Sequence, residues 1–254
     1  TRGHVVVLGG NKMTGAARLA AQAARRAGVG MLSIVTSNES KHIYEASDAG
    51  NLVLELPSNT NISTILTDKR RNAVLVGPGN GVTQMTRNNV VAALKSKKSI
   101  VLDADALTTF EEDPETLFRH IQGPCVLTPH QGEFDRLFQI QGDKLSKCRQ
   151  AAVKANCVVI LKGFDTVIAE PDGRAVINSN APADLASAGT GDVLAGIIVG
   201  LLAQGMAPFE AACAGVWFHG EAAKLVGPGL IAEDLAKNLP IVFAKLRDQT
   251  KSIQ

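Results

Sequence analysis

Short, largely apolar segments recur along this chain, and each ends in a turn. They are Val5–Leu8, Leu32–Thr36, Val53–Leu56, Ala73–Val76, Ile100–Leu102, Cys125–Thr128 and Val158–Leu161. A strand with one wet face alternates apolar and polar residues. These segments mostly do not alternate, so both of their faces must be covered, as in a buried parallel sheet. Between them, Thr14–Ala27, Val82–Lys95 and Lys144–Ala155 read as helices, and Gly28 stops the first. Strand alternating with helix predicts an α/β fold: one mostly parallel sheet with helices on both faces. The pattern changes after Leu161. Thr166–Ala169 and Ala175–Ile177 flank Pro171-Asp172-Gly173, a turn signal, and read as a hairpin. Only helices follow, at Val193–Gln204, Pro208–Lys224 and Ile231–Leu246, so the C-terminal third is expected to be helical. No linker, repeat or low-complexity stretch interrupts the pattern, and residues 1–254 read as a single domain.

Composition narrows the functional classes. Of the 254 residues, 45% are apolar, enough for a sizeable core, while aromatics are 4%. Abundant Ala and Gly suit helices packed closely on a sheet. A net charge of +2, from 26 basic and 24 acidic residues, gives no reason to expect a nucleic-acid or membrane partner. Cys125, Cys148, Cys157 and Cys213 form no CxxC pair and no zinc spacing, which reads as reduced thiols in a cytoplasmic protein. No secretory signal precedes the first strand, and the apolar run Val193–Ala203 is too short to span a bilayer.

The turns carry the functional information, because ligands of open α/β sheets sit at the carboxyl ends of the strands. The first turn, Gly9-Gly10-Asn11-Lys12-Met13-Thr14-Gly15-Ala16-Ala17, is neither a P-loop nor a dinucleotide fingerprint. The next glycine-rich turn, Gly77-Pro78-Gly79-Asn80-Gly81, suggests a ligand backing onto the main chain. Asp103-Ala104-Asp105 places two carboxylates at a strand end, suited to water, metal or ribose, or to capping the next helix. In Thr128-Pro129-His130-Gln131-Gly132-Glu133, the histidine and glutamate share a face of the helix that begins there. Lys162-Gly163-Phe164-Asp165-Thr166 suits contact with nucleotide phosphate or ribose, and a solvated turn is an equal reading.

A last turn stands apart: Gly189-Thr190-Gly191-Asp192 opens the long apolar run. Asp192 is the only charged residue between Asp184 and Glu210. Burying a lone charge is costly, so it needs a purpose or a partner. The glycines let several N–H groups converge, and a helix starting there adds its dipole, which makes an anion site. A carboxylate beside an anion site suits phosphoryl transfer, as the base that takes a proton from an attacking hydroxyl. An Asp that simply caps the helix is the competing reading.

Taken together, Met13-Thr14-Gly15-Ala16-Ala17, Gly77-Pro78-Gly79-Asn80-Gly81, Leu102-Asp103-Ala104-Asp105-Ala106-Leu107, Thr128-Pro129-His130-Gln131-Gly132-Glu133-Phe134, Lys162-Gly163-x-x-Thr166 and Gly189-Thr190-Gly191-Asp192-Val193-Leu194-Ala195-Gly196 follow a known order. The chain resembles the ADP/ATP-dependent NAD(P)H-hydrate dehydratases, which are ribokinase-like proteins that repair hydrated nicotinamide cofactors. The resemblance covers nearly the whole chain. The Gly-x-Gly-Asp loop is shared with all ribokinase-like kinases; the Thr-Pro-His-x-Gly-Glu-Phe stretch is more specific.

The resemblance implies a reaction: phosphorylation of the ring hydroxyl of the S form of hydrated NADH or NADPH, then loss of phosphate. It implies that Ala16, Gly81, His130 and Asp192 contact the hydrated dinucleotide, with Asp192 the catalytic base. Lys162, Gly163, Phe164, Asp165, Thr166, Gly189, Thr190 and Gly191 would contact the phosphate donor, ADP or ATP. Glu133 would serve Mg2+, directly or through water, with His130 at the asparagine position of the related kinases' Asn-x-x-Glu motif. It further implies a homo-oligomer, with a tetramer the family habit, and either a free-standing domain or one half of a bifunctional protein with an upstream epimerase domain. The chain departs from the family at Gln131, where proline is common, and begins at its first strand, where relatives carry more residues. Two other functions compete. A ribokinase-like kinase acting on a vitamin-precursor alcohol would use the same Asp192 but release a stable phosphate ester. A non-catalytic nucleotide-binding protein would need neither Asp192 nor Glu133.

Overall fold

The computed structural model describes residues 2–251. Among these, nine strands form one sheet: β1 (His4–Leu8), β2 (Met31–Thr36), β3 (Leu52–Glu55), β4 (Ala73–Val76), β5 (Ser99–Leu102), β6 (Cys125–Leu127), β7 (Val158–Leu161), β8 (Val167–Ala169) and β9 (Ala175–Ile177). Their order across the sheet is β3-β2-β1-β4-β5-β6-β7-β8-β9. Strands β1 to β7 are mutually parallel, and β8 and β9 are the antiparallel hairpin expected from Pro171-Asp172-Gly173. The helices are α1 (Thr14–Arg26), α2 (Asn38–Glu45), α3 (Ser63–Leu66), α4 (Gln84–Lys95), α5 (Asp105–Thr108), α6 (Pro114–His120), α7 (Gln131–Phe138), α8 (Lys144–Ala155), α9 (Thr190–Ala203), α10 (Pro208–Val226) and α11 (Ala232–Lys251).

Two cores, one on each face, explain the unbroken apolar strands. Along β1, Val5 and Val7 enter the core shared with α1, α9, α10 and α11, while Val6 and Leu8 enter the core under α4 to α8. On the first face, α1 and α9 touch backbone to backbone. A Cβ on Gly196 would overlap the carbonyl oxygen of Ala20, and one on Gly200 would lie 2.9 Å from that of Ala24. Ala17, Ala20, Ala21, Ala23 and Ala24 are fully buried along this seam. This is where the chain uses its alanines and glycines.

Two helices escape the periodicity. Within α2 only Ser40 and Tyr44 are buried, so no apolar stripe marks it. The short α6 is set by its start instead: the Asp113 side chain accepts from the Thr116 N–H, and Pro114 takes the first helical position. Helix α9 begins at Thr190, ahead of the apolar run, so Asp192 lies in its first turn. The strand order reverses between β1 and β4, and the turns that follow β1, β4, β5, β6 and β7 all leave the carboxyl edge of the sheet.

Candidate active site

The frame of the site is main chain packed on main chain. A Cβ on Gly10 would overlap the carbonyl of Gly79, one on Gly77 (φ +130°) that of Asp103, and one on Gly79 (φ +68°) that of Met13. These three glycines therefore let the turns after β1, β4 and β5 touch one another, rather than leaving room for a ligand. The Asn80 side chain ties the same turns, donating to the Leu8 carbonyl (2.8 Å) and accepting from the Gly77 N–H (2.8 Å). Only the outer members stay open. A Cβ on Gly81 would meet nothing nearer than Thr83, at 3.7 Å, and one on Gly15 nothing within 4 Å. Half-buried Ala16 follows in the first turn of α1, whose Met13 end rests on Gly79.

After β5 the chain makes a sharp elbow at Ala104, with φ 49° and ψ −122°. A non-glycine residue held there costs on the order of 1–3 kcal/mol. The elbow sends two carboxylates different ways. Asp103, 2% exposed, accepts from the Thr128 hydroxyl (2.7 Å) and the Lys162 ammonium (2.8 Å). Asp105 accepts from the Gly81 N–H (2.7 Å) and so holds that turn.

After β6, His130 is the N-cap of α7. Its Nδ1 accepts from the N–H groups of Gly132 (3.0 Å) and Glu133 (3.3 Å), while Glu133 Oε2 accepts from the His130 N–H (2.8 Å). This is a capping box with histidine in the usual serine position. With Nδ1 accepting, the ring proton sits on Nε2, which lies 3.4 Å from Glu133 Oε1. At the end of β7, burial alone would lower the pKa of the Lys162 ammonium. The carboxylates of Asp103, Glu133 and Asp192 outweigh that effect and raise it.

The start of α9 completes the site. Gly189 adopts a left-handed conformation (φ +87°) against Leu19 and Ala232. The Thr190 hydroxyl reaches the carbonyls of Leu185 (2.8 Å) and Ser187 (2.9 Å), and His219 Nε2 donates to the Thr190 carbonyl (2.9 Å). Burial pushes the His219 pKa down to about 4, so the ring is neutral and acts as a donor. The N–H groups of Gly191 and Asp192 have no acceptor among the described residues. Nor does the Asp192 carboxylate make any hydrogen bond or ion pair there. Its pKa is pushed up to about 7, chiefly by burial and then by Asp103, with Lys162 opposing and Asp105 adding. The start of α9 thus holds a protonatable carboxylate and two N–H groups without acceptors among the described residues, within electrostatic reach of Lys162.

Beside α9 a cavity of about 370 Å³ is lined by Lys162, Gly163, Phe164, Thr166, Thr190 and Gly191, six of the residues that the resemblance assigns to the donor nucleotide. Asp165 turns away from it to pair with Lys144 (2.5 Å), and Gly189 supports the loop from behind. Leu194, from the same motif, adds to the wall, and so do Pro182, Leu185, Val216 and His219, which the motif reading does not mark. In the sequence His219 sits alone in a long apolar helix, and nothing there links it to Thr190. Phe164 stands at the mouth, 79% exposed.

With this geometry in view, the comparison with known proteins is direct. A family model for NAD(P)H-hydrate dehydratase matches residues 5–240. The chain belongs to that family. Among the NAD(P)H-hydrate dehydratases and their relatives, it is 36% identical to the ADP-dependent (S)-NAD(P)H-hydrate dehydratase of Neisseria meningitidis serogroup B, over 93% of this chain and 83% of that one. It is also 36% identical to the bifunctional NAD(P)H-hydrate repair enzyme Nnr of Moorella thermoacetica, covering 99% of this chain and 51% of that one. The chain thus spans about half the length of the bifunctional relatives. In structure it resembles the ADP/ATP-dependent NAD(P)H-hydrate dehydratase of Bacillus subtilis, which was co-crystallised with ATP and Mg2+ and soaked with CoA. The TM-score is 0.83 at 31% identity, over 96% of this chain and 92% of that one. The ribokinase-like architecture that the resemblance implies is therefore the architecture found.

Proposed function

We propose that this chain is an ADP- or ATP-dependent dehydratase of the S form of hydrated NADH or NADPH. The observation that carries the reading is Asp192: a carboxylate that makes no hydrogen bond or ion pair among the described residues, with a pKa of about 7, beside the N–H groups of Gly191 and its own backbone, which have no acceptor there either. A group that titrates near neutrality takes a proton efficiently at physiological pH. The ring hydroxyl gives its proton to Asp192 as its oxygen attacks the terminal phosphoryl group of the donor, and the bond from that phosphorus to the bridging oxygen breaks, so the shortened nucleotide leaves. The α9 N–H groups and Lys162 hold the negative charge on that group. Breaking of the ring C–O bond expels phosphate, and loss of a proton from the adjacent ring carbon to solvent then restores the ring double bond. The donor nucleotide occupies the cavity between Lys162–Thr166 and α9, and the hydrate lies along Ala16, Gly81 and His130.

Among the described residues no cluster of three or more His, Cys, Asp or Glu side chains is arranged to hold a metal ion. The donors at hand are all hard oxygens, and Glu133 Oε2 and Asp103 Oδ1 are already engaged. This fits Mg2+ held through water and donor phosphates by Glu133, rather than in an all-protein cage. When bound, the ion supplies charge neutralisation on the phosphates.

We further read residues 1–254 as a single dehydratase unit of a cytoplasmic homo-oligomer, with a tetramer the expected state. Exposed Trp217, Leu225, Ile231 and Ile241 around α10 and α11 support self-association, and four free cysteines support a reducing compartment. A monomer by light scattering overturns the oligomer. No described helix is long and apolar enough to cross a membrane.

The deciding experiment mixes the protein with hydrated NADH or NADPH, Mg2+ and ADP or ATP. Return of reduced-nicotinamide absorbance with release of inorganic phosphate supports the reading. A stable phosphate ester formed from a vitamin-precursor alcohol, with the hydrates untouched, replaces it with a kinase.

A further inference from the structure

The crevice between β1 and β4 contains a second cavity, of about 480 Å³, on the far side of the Gly79–Gly81 turn from α9. A volume of this order is typical of small-ligand sites. Gly81 belongs to it, and Gly81 is the residue whose N–H is held by Asp105, which in turn bears on Asp192. The cavity and the reaction centre are therefore neighbours across one turn.

Its walls differ in chemistry. One is apolar, from Leu56, Val82 and Met85. Val82 is 56% exposed and Met85 45% exposed, with nothing in the fold to cover them. The other wall is polar. Asn11 Oδ1 accepts from the Ser37 hydroxyl (2.8 Å) and the Ser40 hydroxyl (3.0 Å), which fixes the amide between β1 and β2. Lys12 is the only charged side chain lining the cavity, and it makes no ion pair among the described residues. The backbone N–H groups of Asn11 and Lys12 have no acceptor either.

Charge sorts the two ends. Toward α9 lie the carboxylates of Asp103, Glu133 and Asp192, with Lys162 the cation they share, and Asp105 close enough to bear on Asp192. Toward the β1 turn lies Lys12, without an ion pair among the described residues, and behind the wall the Glu39 carboxylate accepts from Asn11 Nδ2 (3.3 Å). A reduced nicotinamide hydrate has an uncharged ring at one end and an adenylate at the other. The ring suits the acidic end, and the phosphorylated, base-bearing end suits the lysine and the apolar wall.

We propose that this cavity holds the adenylate half of the hydrated dinucleotide, with the base against Val82 and Met85 and the ribose 2′ position facing Lys12. Lys12 thereby sets the preference between NADPH hydrate, which carries a 2′-phosphate, and NADH hydrate. The proposal rests on the dehydratase reading and extends it to the choice of substrate.

The test uses the full chain and two readouts. In the dehydration assay with Mg2+ and ATP, Lys12→Gln is expected to lower the ratio of kcat/KM for NADPH hydrate over NADH hydrate by about tenfold, the loss of one charge-assisted contact to phosphate. The KM for ATP should not change. An unchanged ratio overturns the assignment of Lys12. Independently of activity, titration calorimetry with adenosine 2′,5′-bisphosphate should show binding that persists with ATP present and weakens about tenfold in Lys12→Gln. Failure to bind, loss of binding when ATP is added, or equal affinity in the variant overturns the cavity. Should the wild-type protein dehydrate neither hydrate yet bind the bisphosphate as described, the cavity stands and the dehydratase reading falls.

Discussion

Asp103 and Lys162 join the ends of two strands that are not neighbours. Asp103 follows β5, Lys162 follows β7, and their 2.8 Å contact passes over the end of β6. Thr128, which follows β6, donates to the same Asp103 oxygen, so three consecutive strand ends are laced through one buried atom. Removing one partner of a buried pair leaves the other charge unpaired, which typically costs about 3–5 kcal/mol. Glu133 and Asp192 still face Lys162, so Asp103→Asn should fall at the lower end, about 3 kcal/mol. Urea denaturation at pH 7 measures it; a loss below about 1 kcal/mol would show that the lacing does not hold the strand ends.

Asp192→Asn should lower turnover by roughly 10²–10⁴-fold while leaving nucleotide affinity nearly intact, the usual worth of a positioned base. In the wild type, activity should fall about tenfold per pH unit below about 7, where the carboxylate becomes protonated. The stability effect has the opposite sense. The folded protein holds a proton on Asp192 between about pH 4 and 7 that the unfolded chain releases, so this group's contribution declines as pH rises through that window. Asp192→Asn should therefore be the more stable protein at pH 8, by at most about 4 kcal/mol for a shift of about three units, and lose that advantage at pH 4. Paired denaturation curves at the two pH values decide it. A variant less stable than wild type at pH 8 would mean the carboxylate is not paying a burial cost.

Gly191→Arg should abolish donor binding, whereas Gly191→Ala should be mild. A Cβ at this position meets Lys162 Nζ at 3.5 Å, an ordinary contact, but a longer cationic side chain enters the nucleotide cavity beside that lysine. Calorimetry with ATP reports the difference, and normal affinity in the arginine variant removes the cavity from the nucleotide site.

His130→Ala should remove the cap of α7, at a cost of about 1 kcal/mol, and weaken use of the hydrate. His130→Asn restores a capping acceptor. It should recover the stability but not the substrate KM if the ring itself contacts the hydrate. Recovery of both by asparagine limits His130 to a structural part.

Gly196→Ala should destabilise by several kcal/mol, because the new methyl overlaps the Ala20 carbonyl and forces α1 from α9. Thermal melting tests this. A variant with unchanged Tm contradicts the backbone contact along the seam.

How much of this was legible in the sequence varies with the kind of signal. Strands such as Ala73–Val76 and Val158–Leu161 are apolar at every position, because the sheet is covered on both faces, and their limits can be read directly. The start of α7 shows itself through Thr128-Pro129-His130. Helix α2 does not, since its fold-facing residues are a serine and a tyrosine. Gly10, Gly77 and Gly79 are visible as glycines, but the sequence cannot tell a carbonyl of the next turn from a ligand as the atom that approaches them. His219 and Thr190 lie 29 residues apart and meet only through the packing of α10 on α9. The pairing of Asp103 with Lys162 across β6 is likewise a product of strand order.

The turns around the reaction centre are pinned to one another by peptide atoms, which every amino acid has in common, at three glycine positions. Side chains that face outward from the same turns, among them Lys12 and Val82, take no part in that pinning. They behave as exchangeable fittings on a fixed chassis. Altered cofactor selectivity should therefore be reachable by replacing these few fittings, while randomising Gly10, Gly77 or Gly79 should yield mostly unfolded protein.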